Sequence, residues 1–320
     1  MNILVTGGAG FIGSHLTASL VADGHNVTVL DNLSTGNLSN LAPIASAITF
    51  VEGDILDANL VESQVLRADL VYHLAAAVGV GNIMANPLRS IITNTTGTEH
   101  VLSSCHRHSA RVVVASTSEI YGKTPKLPMS EDDDRILGST AISRWSYSTA
   151  KALDEHLALA YAVEGLKVSI VRYFNSYGPH LDEKGYGSVI ANFIRQARAG
   201  EPLTVHGDGL QQRCFTFVAD TVRGTILAGT RQEALGSVFN IGSNFEISIA
   251  DLARLIIDTT GSTSTITNVS YEQRYGTSFE DTRRRVPSLD RARTVLGYTP
   301  TINLAEGLDR TLAWWNLAHT

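Results

Sequence analysis

Tyr147 and Lys151 stand four residues apart in Trp145-Ser146-Tyr147-Ser148-Thr149-Ala150-Lys151. On a helix that spacing puts both side chains on one face, one turn apart. A tyrosine near its ordinary pKa of roughly 10 is a poor base at neutral pH. A cation held beside it favours the phenolate and lowers that pKa. Such a pair can take a proton from a sugar or alcohol hydroxyl while hydride leaves the same carbon. Many helices carry Tyr and Lys at this spacing by chance, so the rest of the chain decides.

The hydride acceptor has its own signature at the N-terminus. Asn2 to Thr6 is a short apolar run of the kind a buried parallel strand needs. Gly7-Gly8-Ala9-Gly10-Phe11-Ile12-Gly13 follows, and Ser14 to Ala22 reads as a helix. Strand, glycine loop and helix form the context of dinucleotide binding. Gly7 permits the tight turn, Gly10 lets the backbone approach a pyrophosphate, and Gly13 lets helix and strand pack closely. Free N–H groups at the helix start favour the phosphates. A second strand, Asn26 to Leu30, ends at Asp31-Asn32. An acidic residue about 20 positions beyond the loop suits two ribose hydroxyls and repels a 2′-phosphate, which favours NAD over NADP.

Further strands are expected at Thr49 to Asp54, with Asp54-Ile55 where an adenine could lie, and at Asp69 to Leu74. Ala75-Ala76-Ala77 would let a dinucleotide pass close to the backbone. A helix over about Pro87 to His108 leads to a strand over Arg111 to Ala115, which runs into Ser116-Thr117-Ser118-Glu119-Ile120-Tyr121-Gly122. The segment Lys123 to Ser143 reads as loop, and its Glu131-Asp132-Asp133-Asp134 run as solvated surface. The Tyr147/Lys151 helix runs to about Glu164, and Lys167 to Arg172 is a sixth strand. This alternation is the signature of an α/β fold with a doubly wound parallel sheet. Ligands in such sheets sit beyond the carboxyl ends of the strands. The glycine loop, Asp31, Ala75, Thr117 and the segment after Arg172 all fall there.

After Tyr173-Phe174-Asn175 the rhythm changes. Gly178-Pro179 marks a turn, Ser188 to Ala199 a helix, and Pro202 to Val205 a short strand. Val238 to Ile241 is another strand. Ser248-Ile249-Ala250-Asp251 has the shape of a capping box, with Asp for Glu. Leu304 to Leu317 is a final amphipathic helix, with Trp314-Trp315 read as core. The expected division is a dinucleotide-binding domain over 1–174, with about 215–243 returning to the sheet. A smaller substrate lobe would take about 175–214 and 244–320.

Composition sets the outer bounds. The chain has 320 residues, 43% hydrophobic and 18% charged, as an ordinary globular protein does. A net charge of -6 argues against nucleic-acid or membrane-surface binding. Arg283-Arg284-Arg285 is a local basic patch that could meet a phosphate or form a solvated turn. Cys105 and Cys214 make no disulfide framework, and no Cys/His cluster has zinc-ligand spacing, so no metal is expected. The most apolar stretch, around Ala68 to Val80, holds Asp69 and His73 and is too short to span a bilayer. A strand begins almost at once, leaving no room for a signal peptide, and the cytoplasm is the expected location.

Together, Gly7/Gly10/Gly13, Asp31-Asn32-Leu33-Ser34, the Ser116 to Gly122 segment, Tyr147/Lys151 and Arg172-Tyr173-Phe174-Asn175 resemble the extended short-chain dehydrogenase/reductases that modify nucleotide sugars. That family includes UDP-glucose 4-epimerases, UDP-glucuronate 4-epimerases and decarboxylases, and sugar-nucleotide 4,6-dehydratases. The resemblance implies Tyr147 as base for the sugar C4 hydroxyl, Lys151 on the nicotinamide ribose, and Thr117 bonded to the same sugar oxygen. Hydride passes from C4 to NAD, leaving a 4-keto sugar. It also implies cofactor contacts from Gly7, Gly10, Phe11, Ile12, Gly13, Asp31, Asn32, Ser34, Thr35 and Gly36. Asp54, Ile55, Leu74, Ala75, Ala76, Asn94, Ser116 and Tyr173 would complete that set. Substrate contacts would come from Thr117, Ser118, Asn175, Val189, His206, Arg213 and Asp281, with Arg213 on a nucleotide phosphate.

Within the family, the first expectation is a 4-epimerase acting on a UDP-hexose. The alternatives are a UDP-glucuronate decarboxylase, a 4,6-dehydratase and an idle NAD-sensing protein. Ser118-Glu119 replaces the Asp-Glu usual in 4,6-dehydratases, which removes the acid for a leaving hydroxyl. The same Ser-Glu resembles many UDP-glucuronate decarboxylases, with Glu119 then a catalytic candidate. His180 follows Gly178-Pro179 where the family often has Arg, and that counts against a glucuronate substrate. A homodimer is also implied, paired through the helices at about Pro87 to His108 and near Tyr147.

Overall fold

Strand β1 (Asn2–Thr6) shows how the sequence builds the molecule. Ile3 and Val5 face one apolar core and Leu4 the other, each almost fully buried. The same alternation recurs in β4 (Leu70–His73), where Leu70 and Tyr72 face one way and Val71 the other. In β5 (Arg111–Thr117), Val113 opposes Val112 and Val114. Strands buried on both faces are what a parallel sheet covered by helices requires. Burying each such side chain stabilises by about 1.5–3 kcal/mol.

The computed structural model describes residues 1–79, 85–181, 188–270 and 282–318. With β2 (Asn26–Asp31), β3 (Ile48–Glu52), β6 (Val168–Tyr173) and a later strand β11 (Val238–Ile241), these strands form one sheet in the order β11-β6-β5-β4-β1-β2-β3. Every pair in it is parallel. Helix α1 (Phe11–Ala22) packs on one face. Helices α2 (Ala58–Val65), α3 (Pro87–His108) and α4 (Arg144–Val163) pack on the other. The strand order reverses between β1 and β4, and that switch point is where doubly wound sheets open a crevice.

Beyond β6 the chain alternates between the seven-stranded sheet and three smaller sheets. Strand β7 (Ser176–Tyr177) pairs in parallel with β10 (Thr216–Phe217). Helix α5 (Val189–Arg198) is capped by Ser188, and β8 (Leu203–His206) pairs in parallel with β13 (Ile266–Val269). Strand β9 (Gln212–Cys214) lies between β12 (Glu246–Ser248) and β14 (Arg284–Arg285). Helix α6 (Val218–Thr230) returns to the sheet beside α1. Helix α7 (Ile249–Thr260) opens with the expected box: Asp251 N donates to Ser248 Oγ at 3.0 Å, and that hydroxyl donates to Asp251 Oδ2 at 2.6 Å. Helix α8 (Leu304–Ala318) closes the chain, with Trp315 buried in the core.

Three local expectations need correction. Helix α1 starts at Phe11 rather than Ser14, because Gly10 takes the extended cap conformation and Gly13 falls in the first turn. The acidic run is not all solvated: Glu131 is buried, and its Oε1 accepts from Asn240 N at 2.8 Å. Asp133 pairs with Lys126, while Asp132 stays exposed. The arginine triplet splits by strand alternation. Arg283 and Arg284 sit at the surface on Asp208 and Glu246, whereas Arg285 points inward and is buried.

Candidate active site

The glycine loop closes by contact. Gly7 has φ +73°, and a Cβ there would lie 2.7 Å from Ala75 N. A Cβ on Gly13 would lie 2.1 Å from Gly7 O. Backbone, not side chain, therefore forms the floor of the crevice. Helix α1 has no side-chain cap at Gly10, which leaves its first N–H groups to an anion. Asp31 ends β2 over this loop: Oδ2 accepts from Ala9 N at 2.9 Å and Oδ1 from Leu33 N at 2.8 Å. Burial raises its pKa against those two bonds. Phe11 and Ile12 begin α1, while Ser34, Thr35 and Gly36 follow β2. Gly36 lies against Ala9 and Asp31, with no room for a Cβ beyond 3.0 Å. Asn32 Nδ2 donates to Asp54 Oδ2 at 2.9 Å, which ties the β2 and β3 ends together beside the buried Ile55. Leu74, Ala75 and Ala76 leave β4 along the crevice. Asn94 holds this stretch rather than reaching across it: its amide exchanges bonds with Ala77 N at 2.7 Å and Ala77 O at 3.2 Å. These residues fit a dinucleotide at the switch point.

Helix α4 brings Tyr147 beside the end of β5. Tyr147 is bonded to Thr117, and Ser148 Oγ donates to Glu119 O at 2.9 Å, locking the helix to the turn that follows β5. Lys151 is buried, and its Nζ donates to Asp154 Oδ2 at 2.8 Å. Tyr147 does not show the lowered pKa that its spacing from Lys151 suggests. Burial, then the charges of Glu119 and Asp154, raise it, against the Thr117 bond. In the protein alone, Tyr147 is a firmly protonated phenol.

Glu119 is the most strongly fixed charge in the site. Its Oε1 accepts from Arg285 Nη1 at 2.5 Å, and its Oε2 faces Arg144 Nη2 at 3.4 Å. Burial works to raise its pKa, but Arg285 and Arg144 outweigh burial and hold it down to about 2. Arg213 adds to the same positive field, though its guanidinium also donates to Gln212 O at 2.8 Å and Arg283 O at 3.4 Å. Ser118 is buried in the turn beside Glu119.

Other expected residues take positions of different kinds. The Ser116 hydroxyl donates to Glu155 Oε1 at 2.5 Å, so its side chain is directed at the α4 helix. Tyr173 OH bonds Thr225 Oγ1 at 2.8 Å. Asn175, at φ +38°, donates from Nδ2 to Cys214 O at 2.9 Å and fixes the crossing from β6 to β7. Val189 starts α5 and His206 ends β8, both half-buried. Asp281 lies outside the described residues. His180 stacks on His15 with ring centres 4.7 Å apart, and its Nδ1 meets Ser14 Oγ at 2.9 Å. This histidine thus ties the post-β7 segment to the first turn of α1, and burial pushes its pKa down to about 4.

Three residues at the site were not singled out from sequence, Arg144, Asp154 and Thr98, and Arg285 was read only as part of the basic run Arg283-Arg284-Arg285 and not as a partner of Glu119. Arg144 lies three positions before Tyr147, a turn that helical spacing could have flagged. Arg285 is 166 positions from Glu119, beyond any local signal. Among the described residues no group of His, Cys, Asp or Glu could hold a metal ion, and no helix is long and apolar enough to cross a membrane.

Comparison with known proteins gives the chain's family. The family model for the NAD dependent epimerase/dehydratase family matches residues 3–242. The chain is 43% identical over 98% of its length to a UDP-N-acetyl-alpha-D-glucosaminuronate decarboxylase of Bacillus cytotoxicus, covering 97% of that protein. It is 38% identical over 98% of its length to UDP-glucuronic acid decarboxylase 1 of Xenopus tropicalis, covering 72% of it. Among solved structures, a UDP-glucose 4-epimerase of Thermotoga maritima with UDP-glucose aligns with a TM-score of 0.91 at 32% identity, each chain fully covered. A UDP-glucuronic acid 4-epimerase of Bacillus cereus, in complex with UDP-glucuronic acid and NAD, aligns with a TM-score of 0.88 at 29% identity, again with full coverage. These findings overturn the expectation of a 4-epimerase on a UDP-hexose. The relatives matched at higher identity over nearly the whole chain are decarboxylases, and epimerases enter only as structural neighbours. The 4-epimerase expectation counts His180, standing where the family often has Arg, against a glucuronate substrate.

Proposed function

Since the chain belongs to the NAD dependent epimerase/dehydratase family and uses NAD, we propose that it decarboxylates a UDP-linked hexuronate, a glucuronate or its 2-acetamido counterpart. The observation that carries this reading is Glu119 held between Arg285 and Arg144 beside Thr117 and Tyr147. A uronate brings its own carboxylate to the sugar C5, and two guanidinium groups at that end of the site favour an anionic substrate. Two cations against the one carboxylate of Glu119 leave this end of the site net positive.

The chemistry then follows from the residues. Tyr147, as phenolate, takes the C4 hydroxyl proton, and Thr117 hydrogen-bonds the same oxygen. NAD, which the glycine loop from Gly7 to Gly13 and Asp31 would hold, would supply the hydride acceptor for C4. The 4-keto uronate is a β-keto acid. Its C5–carboxyl bond breaks with the electron pair passing into the C4 carbonyl, CO2 leaves, and C5 then takes a proton from solvent water. Tyr147 returns its proton to the C4 oxygen as the ketone is reduced. Thr117 and Tyr147 hold the developing C4 oxyanion throughout, where such stabilisation matters most.

Mass and isotope analysis with a C4-deuterated UDP-uronate tests this reading. The expected product is lighter by one carboxyl group and keeps deuterium at C4. A product of unchanged mass, or one lacking the C4 label, would contradict it.

A further inference from the structure

The sequence pairs Tyr147 with Lys151, but the structure gives Lys151 a second relationship that the proposed chemistry leaves unused. Lys151 and Asp154 lie on the same turn of α4 and are both buried, at 2% and 0% exposure. They form an ion pair at 2.8 Å, and among the described residues Asp154 is the acceptor that Lys151 Nζ uses. A bare buried carboxylate would be strongly destabilising, so such a pair persists where both partners are held.

Among the described residues, Asp154 Oδ1 is buried with no hydrogen-bond partner of its own, so Lys151 is the group that holds this carboxylate. Thr98 of α3 lies close enough to favour its charged form. Thr98 Oγ1 meets His73 Nε2 at 3.0 Å, and His73 Nδ1 meets Thr6 Oγ1 at 2.8 Å. Ala75 N donates to the same Thr6 hydroxyl at 3.3 Å. From Thr98 this chain runs through β4 to the end of β1 and the backbone that floors the cofactor crevice. Thr98, His73 and Thr6 are buried, and Ala75 is half-buried.

From this geometry we infer that Asp154 is a positioning residue of the Tyr147–Lys151 pair, fixing where the Lys151 ammonium sits and offsetting the charge it presents to Tyr147. An ammonium has three donors. Asp154 takes one and orients the other two, away from its own side, for the nicotinamide ribose. The inference rests on the reading of Tyr147 as the base.

The sign of the effect follows from the charges facing the pair. On α4 these are Tyr147, Lys151, Asp154 and Glu155, the last bound by Arg172 of β6 and Ser116 of β5. From the turn after β5 comes Glu119, with Arg285 and Arg144 on it. From β4 comes His73, which burial and Lys151 keep neutral, with its pKa pushed down to about 3. Asp154 is thus the anion in contact with Lys151, and its charge opposes phenolate formation at Tyr147. Removing that charge lowers the pH at which Tyr147 ionises.

The test is an ultraviolet titration of the phenolate in the NAD-bound protein, with Tyr147→Phe as the reference that identifies the signal. Asp154→Asn keeps the shape and removes the charge. Its Tyr147 midpoint is expected to fall by about one pH unit. The acid limb of kcat/KM should move with it while KM for the nucleotide sugar stays put. Asp154→Glu restores the charge and should bring the midpoint back toward the wild-type value. Thr98→Val removes the hydroxyl that favours the charged form of Asp154, without touching the ion pair, and should shift the midpoint the same way by less. A folded Asp154→Asn protein whose titration coincides with wild type overturns the inference. If that variant does not fold, an unshifted Thr98→Val overturns it. A phenolate signal and turnover that survive Tyr147→Phe would instead remove the Tyr147 reading itself.

Discussion

At the scale of residues, the site works through opposed charges held at fixed distances. Tyr147 is a protonated phenol in the protein alone, because burial and two acids outweigh the hydrogen bond from Thr117. On the proposed reading, Tyr147 acts as a base only where positive charge nearby offsets that burial. Tyr147→Phe removes the group that carries the proton and leaves the glycine loop untouched. Turnover should fall by about 10²–10⁴-fold while the Kd for NAD changes by less than about twofold. Steady-state kinetics and a cofactor titration check both halves. What the sequence displayed at this scale was the local part. Tyr147, Lys151 and Thr117 sit in short recognisable runs. Glu119 was visible as a candidate, but its partner Arg285 was one of three adjacent arginines that look alike until a strand turns one of them inward.

At the scale of elements, the crevice is built from close backbone approach. Gly13 lies inside the first turn of α1, and its missing Cβ leaves room for Gly7 O. Gly13→Ala would put a methyl 2.1 Å from that oxygen, so the loop must move. NAD binding should weaken by more than about tenfold, a loss exceeding about 1.4 kcal/mol. Isothermal titration of cofactor, alongside thermal unfolding, separates a displaced loop from an unfolded protein. The strand–loop–helix unit, the Asp31 position and the Ser248/Asp251 box were legible because each depends on neighbours within a few residues. Glu131 was misread as solvated because its partner, the Asn240 backbone on β11, is 109 positions away.

At the scale of the molecule, the buried histidines give stability a pH dependence. His73 has its pKa pushed down to about 3 and His180 to about 4, and His15 is lowered too, burial being the first cause in each. The unfolded chain binds protons at these positions from about pH 6.5 downward, while the folded protein does not. Stability is therefore whole above about pH 6.5 and is lost as pH falls toward the folded values. His73 alone accounts for on the order of 2 kcal/mol at pH 5. Denaturant midpoints should drop between pH 7 and pH 5, and His73→Asn should flatten part of that slope. We also propose a homodimer built on α3 and α4, where Leu88, Ile91, Ile92 and Leu153 leave apolar side chains exposed. A sizing column should show twice the chain mass, and Ile92→Glu should shift it toward the monomer.

The claim on which the rest depends is that the site acts on a carboxylated sugar. UDP-glucuronate and UDP-N-acetylglucosaminuronate, each carrying isotopic carbon in the carboxyl group, should be incubated with the NAD-loaded protein and the released gas collected. Labelled CO2 from at least one of them, abolished in Tyr147→Phe, is the expected result. No labelled CO2 from either would contradict the role assigned to Glu119, Arg285 and Arg144.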